Sequence, residues 1–262
     1  MNEPQSSRPG DTLRFAVRSE RGRVRAQNQD WAHAEAASER ARHPHGRLFL
    51  VADGIGGHAA GEVASRLAVE SILEAYYSNP LPAKEDPAPL LALAFETANA
   101  AILREARAHP EFRGMGTTCT AALVREDGLW VAHVGDSRGY LFRAGRLSQI
   151  TVDHNVVAQL LREGRVTPEE AETHNMRHML TRALGIALHE RADVSPAPLE
   201  LRAGDRLLLC SDGLSGVVPE KRIQAALGER TVEETVRSLV DEANELGGPD
   251  NITVVLVEVL AR

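Results

Sequence analysis

Four aspartates in this chain border apolar, strand-like runs, and three of them are followed at once by a glycine or a small polar residue. Asp53–Gly54 follows Leu48–Ala52, Asp136–Ser137 follows Ala132–Gly135, and Asp212–Gly213 follows Leu207–Ser211. The fourth, in Pro249–Asp250–Asn251, precedes the last apolar run. A strand end holds a carboxylate rigidly, and a glycine after it lets a ligand or second backbone approach. Carboxylates gathered in one place repel one another unless cations sit between them. Hard divalent cations such as Mg²⁺ or Mn²⁺ prefer oxygen donors of this kind. Each Asp-Gly step alone is an ordinary turn signal, and spacing does not by itself bring the four together.

Other residues could join such a site. The segment from Asp53 to Glu62 carries Gly54, Gly56, Gly57 and Gly61 between a strand and a helix. Its glycines do not fall in the register of a dinucleotide loop, and no P-loop pattern is present. It reads instead as a loop whose carbonyls reach a cation beside Asp53. Arg25 offers a guanidinium fork for a phosphate. The ordinary pKa of a histidine suits a general acid, which makes His58 a candidate for that role. No Ser-x-x-Lys occurs, and a side-chain nucleophile has little support.

The elements that must position these groups alternate irregularly. Residues 47–53, 117–124, 129–135, 206–212 and 251–259 read as strands by β-branched content and length. The second and third are joined by the short turn Arg125–Gly128, a hairpin signal. Helices read at 61–77, 88–108, 153–163, 168–174 and 232–246. Thr231 and Glu234 form a capping box for the last, whose apolar stripe includes Val232, Val236, Leu239, Val240, Ala243 and Leu246, with Gly247 as the stop. Thr167, Pro168 and Glu170 repeat that start. Consecutive helices followed by runs of strands imply an α+β sandwich, with helices covering antiparallel sheets.

The chain has 262 residues, 43% of them hydrophobic, which suffices for a sizeable core. Its formal net charge of −7 disfavours nonspecific nucleic-acid binding, which rests on phosphate neutralisation. Two cysteines, Cys119 and Cys210, lie in apolar runs and cannot build a disulfide framework. Residues 1–12 read as a disordered polar tail with no secretory signal, and residues 13–262 as one domain. With no apolar run of membrane-spanning length, the expected location is the cytoplasm, the expected state a monomer.

Taken in order, the motifs resemble those of the metal-dependent serine/threonine protein phosphatases of the protein phosphatase 2C (PPM) family, in its compact bacterial form. They are Gly22–Arg25 with Asn28–Asp30, Val51–Glu62, Gly114–Thr118, Val134–Arg138, Ile150–His154, Leu180–Gly185, Cys210–Leu214 and Pro249–Thr253. The resemblance implies an αββα sandwich of two central antiparallel sheets flanked by helices. It implies two Mn²⁺ or Mg²⁺ ions in a cleft at one edge, with a third, weaker one in some bacterial members.

By that resemblance Asp53 bridges both metals, the Gly54 carbonyl binds one, and Asp212 and Asp250 bind the other. Asp136 matches the position that holds the third ion, and Asp30 orients the water around the metals. A metal-activated hydroxide attacks the phosphorus of phosphothreonine or phosphoserine. Arg25 grips the phosphate, and His58 stands for the proton donor to the leaving oxygen. The segment 155–180 matches the family's flap, with Arg162, Arg165 and Arg177 as candidate substrate contacts. Phosphorylated proteins, among them a bacterial Ser/Thr kinase and its substrates, are the implied partners. Gln29 departs from the glutamate of eukaryotic members and motivates a second reading, a phosphoprotein-binding module without hydrolysis, against which the intact aspartates argue.

Overall fold

The computed structural model describes residues 12–34, 45–56, 60–79 and 85–261. Apart from Thr12, the tail expected over residues 1–12 lies outside them, as does His58.

Two antiparallel sheets are stacked face to face. The first runs β1 (Leu13–Glu20), β11 (Ile252–Val259), β10 (Arg206–Cys210), β7 (Arg138–Arg143) and β8 (Arg146–Gln149). The second runs β2 (Asp30–His33), β3 (Arg47–Ile55), β5 (Cys119–Arg125), β6 (Gly128–Val134) and β9 (Asp193–Val194), with β4 (Gly116–Thr117) paired to the end of β3. Helices α1 (Ala60–Tyr77) and α2 (Ala88–Ala108) cover the second sheet. Helices α6 (Glu220–Glu229) and α7 (Val232–Glu245) cover the first. This is the α+β sandwich that the order of elements implied, in the αββα arrangement that the family resemblance implied. No described helix is long and apolar enough to cross a membrane.

Strand alternation builds the layers. Along β3, Leu48, Leu50 and Ala52 face α1 and α2, whereas Phe49 and Val51 face the opposite sheet. Along β11, Val254 and Leu256 face α7, whereas Val255 and Val257 face the second sheet. The inter-sheet layer is completed by Phe15, Val131, Leu207 and Leu209. Cys119 and Cys210 are buried free thiols, and burial pushes the Cys210 thiol up to about 12, so neither behaves as a nucleophile.

Local signals placed the elements well where caps were present. Both capping boxes form, Thr167 with Glu170 and Thr231 with Glu234. The hairpin of β5 and β6 pairs Arg125 with Gly128 as read. Most boundaries shift by one or two residues, and the following differences have a physical reason or consequence. The strand expected over 206–212 ends at Cys210, and Asp212 opens the short helix α5 (Asp212–Ser215). The strand expected over 117–124 breaks at Thr118, whose amide donates to the Asp53 carbonyl at 2.9 Å. The helix expected from 153 begins three residues later as α3 (Val156–Arg162), because Asn155 caps it by accepting from the Ala158 amide at 2.8 Å. Leu246, assigned to the apolar stripe of α7, is 46% exposed beyond the helix end.

Candidate metal centre

The inter-sheet layer turns polar at one end, and alternation dictates which groups appear there. Asp53 shares the parity of Phe49 and Val51, so it faces between the sheets. Asp30 is its register partner on β2 and faces the same way. Ser211 follows Leu207 and Leu209, Thr253 precedes Val255 and Val257, and Ser19 follows Phe15 and Val17 at the same spacing. These three hydroxyls meet at the Asp30 end of the layer. Ser211 Oγ donates to Asp30 Oδ2 at 2.7 Å, the Thr253 amide donates to Ser211 Oγ at 3.0 Å, and Ser19 and Thr253 hydroxyls pair at 2.7 Å.

Threonines fix the backbone of Asp53. Its amide donates to Thr118 Oγ1 at 3.0 Å, and its carbonyl accepts from the Thr117 hydroxyl at 2.9 Å as well as from the Thr118 amide. Gly54 lies so close to the start of α1 that a Cβ there would stand 2.1 Å from the Gly61 carbonyl oxygen. A Cβ on Gly213 would stand 1.9 Å from the carbonyl oxygen of Asn251. Both glycines thus hold their aspartates against a second backbone, the close-approach use of glycine.

The aspartates act on one another electrostatically. Burial, then repulsion from Asp30, Asp212, Asp136 and Asp250, holds the Asp53 carboxyl well above the usual carboxylate range. Burial pushes Asp30 to about 7 against the pull of Thr253 and Ser211, with Asp212 and Asp250 adding repulsion. Asp136 is likewise raised to about 7, by burial first and then by Asp212 and Asp153. Asp53 therefore lies within the field of Asp30 and of the three other strand-border aspartates. Asp30 Oδ1 and Asp212 Oδ1 are buried with no hydrogen-bond partner among the described residues.

Orphaned carboxylate oxygens amid mutual repulsion suit a divalent cation, and the donor set is oxygen throughout. Among the described residues no three His, Cys, Asp or Glu side chains are close enough to form a metal cage alone. An ion here would complete its shell with carbonyls and water, as Mg²⁺ and Mn²⁺ readily do.

Arg25 reaches the same place from the loop between β1 and β2. Its Nη2 donates to Asp250 Oδ2 at 2.6 Å, while the guanidinium stays half exposed. His178 approaches Asp212 Oδ2 at 3.5 Å, a contact that raises its pKa. Of the flap arginines, Arg162 donates to the Ala158 carbonyl within its own helix and Arg165 pairs with Glu163.

Two residues are more central than their sequence context suggested. Asn251 accepts the Gln29 amide at 2.8 Å and donates to the carbonyls of Arg21 and Gln27, stitching the Arg25 loop to β11. The Gln29 carbonyl accepts from the Gly54 amide and from Ser65 Oγ, and its carboxamide donates to the Gly56 carbonyl at 3.3 Å. A glutamate could not donate in that way. These links span 25 residues or more each and leave no local trace.

Fold and site together define an αββα sandwich with a carboxylate cluster at one end of its central layer. The family described as protein phosphatase 2C matches residues 20–260, and the chain belongs to that family. Serine/threonine protein phosphatase PstP of Mycobacterium tuberculosis is 45% identical over 248 residues, 95% of this chain and 45% of that protein. This chain thus spans about half the length of that relative. Serine/threonine phosphatase stp of Listeria monocytogenes is 39% identical over 92% of this chain and 94% of its own length. The crystal structure of the catalytic domain of PstP in complex with two manganese ions matches with a TM-score of 0.80 and 42% identity. That match covers 95% of this chain and 99% of that one.

Proposed function

We propose that this chain is a metal-dependent protein phosphatase that hydrolyses phosphothreonine and phosphoserine in protein substrates. The carrying observation is the convergence of Asp30, Asp136, Asp212 and Asp250 on Asp53 at one end of the inter-sheet layer, with buried carboxylate oxygens of Asp30 and Asp212 lacking hydrogen-bond partners among the described residues. Family membership and the two manganese ions of the PstP catalytic domain support the same reading. Asp53, the Gly54 carbonyl, Asp212 and Asp250 would hold two Mn²⁺ or Mg²⁺ ions, and Asp136 a third, weaker one.

Bound there, divalent cations supply Lewis-acid charge at the phosphoryl oxygens and lower the pKa of water. The chain's own residues do the rest. Arg25, anchored at one nitrogen by Asp250, presents its remaining N–H groups to the phosphate as a planar fork. Asp30, fixed by Ser211 and Thr253, offers an acceptor that orients water near Asp53. His58 is assigned the proton for the leaving oxygen.

The segment 155–180 serves as the flap beside the cleft, within one domain over 13–262. A cytoplasmic monomer whose activity reverses bacterial Ser/Thr kinase signalling completes the proposal.

Phosphate release from phosphothreonine and phosphotyrosine peptides, with Mn²⁺ and with EDTA, tests the reading. Release from the phosphothreonine peptide that EDTA abolishes is the expected result. A Mn²⁺-saturated enzyme that releases nothing from phosphothreonine, or releases equally in EDTA, would overturn it.

A further inference from the structure

The turn that carries Asp136 is suspended from side chains outside it. Gly135 adopts φ +109, and a Cβ there would stand 2.5 Å from Thr118, so the backbone has little freedom. Thr118 Oγ1 pairs with Ser137 Oγ at 2.6 Å, and Thr120 Oγ1 donates to the Ser137 carbonyl at 2.7 Å. The two peptide groups that flank Gly135, just before Asp136, are both bonded by His154. The His154 amide donates to the Gly135 carbonyl at 2.7 Å, and the Gly135 amide donates to His154 Nδ1 at 3.0 Å.

That second bond fixes the imidazole. Nδ1 accepts, so the proton sits on Nε2, where it reaches Asp193 Oδ2 at 3.1 Å. Arg182 Nη1 then faces the same Nε2 as a second donor, and it is satisfied instead by Asp193 Oδ1 at 2.7 Å. The ring is buried and lies 4.8 Å from that of His133. His133 in turn donates from Nδ1 to Thr120 Oγ1, whose own proton is committed to Ser137. Burial first, and Arg182 as well, keep His154 below its ordinary pKa despite Asp193 and Glu190, which preserves the accepting Nδ1.

We propose that His154 is a positioning residue that sets the Asp136 carboxylate for metal binding by bonding both peptide groups that flank Gly135. The inference rests on the reading of Asp136 as a metal ligand. It assigns to a buried histidine, itself no ligand, the control of the weakest cation site.

The test is calorimetric titration of Mn²⁺ into the full chain as wild type, Asp136→Asn, His154→Gln and His154→Asn, with folding checked by circular dichroism. An asparagine carbonyl takes the place of Nδ1 and can accept the Gly135 amide, whereas a glutamine carbonyl falls nearer Nε2. Asp136→Asn should weaken the weakest Mn²⁺ event. His154→Gln should weaken the same event roughly tenfold, the usual scale for a partner behind a ligand. His154→Asn should stay within about twofold of wild type on that scale. Wild-type Mn²⁺ binding in folded His154→Gln beside a weakened Asp136→Asn overturns the role of His154. Equal loss in both His154 variants does the same, because it marks a merely structural residue. If the Gln variant does not fold, the Asn variant decides alone, and weakened binding there overturns the proposal. Unaltered binding in Asp136→Asn instead removes the underlying reading of Asp136, and the proposal with it.

Discussion

Asp30 and Asp53 stand directly opposite each other across the antiparallel pair β2 and β3, on the face that looks between the sheets. Like charges in that position are destabilising by up to about 1 kcal/mol, and burial magnifies the conflict. The strand pair therefore carries a built-in cost that a cation removes.

A thermal consequence follows. In EDTA, Asp53→Asn should melt above the wild type, by a gain of up to about 1 kcal/mol. In Mn²⁺ the order should reverse, because an ion at a hundred times its Kd adds about 2.7 kcal/mol to the wild type. Melting curves in the two buffers check both halves.

Arg25 gives a kinetic prediction. Its fork is tied to Asp250 at one nitrogen and is open to solvent elsewhere. Arg25→Ala should lower kcat/KM on a phosphothreonine peptide by roughly tenfold or more, the loss of a charge-assisted hydrogen bond, with KM carrying a clear share. Arg25→Lys should not restore it, since an ammonium cannot reproduce the fork. Steady-state kinetics at saturating Mn²⁺ distinguish these outcomes.

His133 contributes a pH dependence of its own sign, read as a difference between wild type and variant, because the raised carboxyls of Asp30, Asp53 and Asp136 act in the opposite sense over the same range. Burial first, and the neighbouring His154, lower its pKa from 6.5 to about 4 in the folded chain. A histidine kept neutral by folding contributes stability that is fully present above 6.5 and is lost as pH falls towards 4, because only the unfolded chain takes up the proton. The full effect is of order 3 kcal/mol. In urea denaturation between pH 7 and about 4, the stability of His133→Asn relative to wild type should rise as the pH falls.

Close backbone contact predicts an intolerance. Gly54→Ala forces a methyl to 2.1 Å from the Gly61 carbonyl oxygen, where no flexible side chain can yield. The expected cost is about 1–3 kcal/mol or more, together with loss of Mn²⁺ binding as Asp53 shifts. Gly145→Ala is the control for space, with nothing within 4 Å of the added carbon, so its cost should be that of its φ of +79 alone. Chemical denaturation and Mn²⁺ titration of both variants provide the check.

The sequence made some of this architecture legible because its signals are local. Thr231 and Glu234 announce α7 from four consecutive residues, and the turn between Arg125 and Gly128 announces its hairpin. The strand-border aspartates were visible because carboxylate after apolar run is a chemical pattern, readable without a partner. The family resemblance then supplied roles that spacing could not. What stayed hidden depends on distant chain. Ser211 meets Asp30 across 181 residues, and Asn251 holds Gln29 across 222. Leu246 matched the helical stripe by periodicity, yet the helix stops one residue before it. His154 lies in a polar stretch, and only the fold shows that its ring holds the Asp136 turn.

The central claim is that these aspartates gather cations to cleave a phosphoester. It is tested most directly by phosphate release from a phosphothreonine peptide in Mn²⁺, comparing wild type with folded Asp53→Asn. The account predicts Mn²⁺-dependent turnover in the wild type and a fall of at least roughly a hundredfold in the variant, several kcal/mol of lost transition-state stabilisation. Turnover in Asp53→Asn within a few-fold of wild type would contradict it.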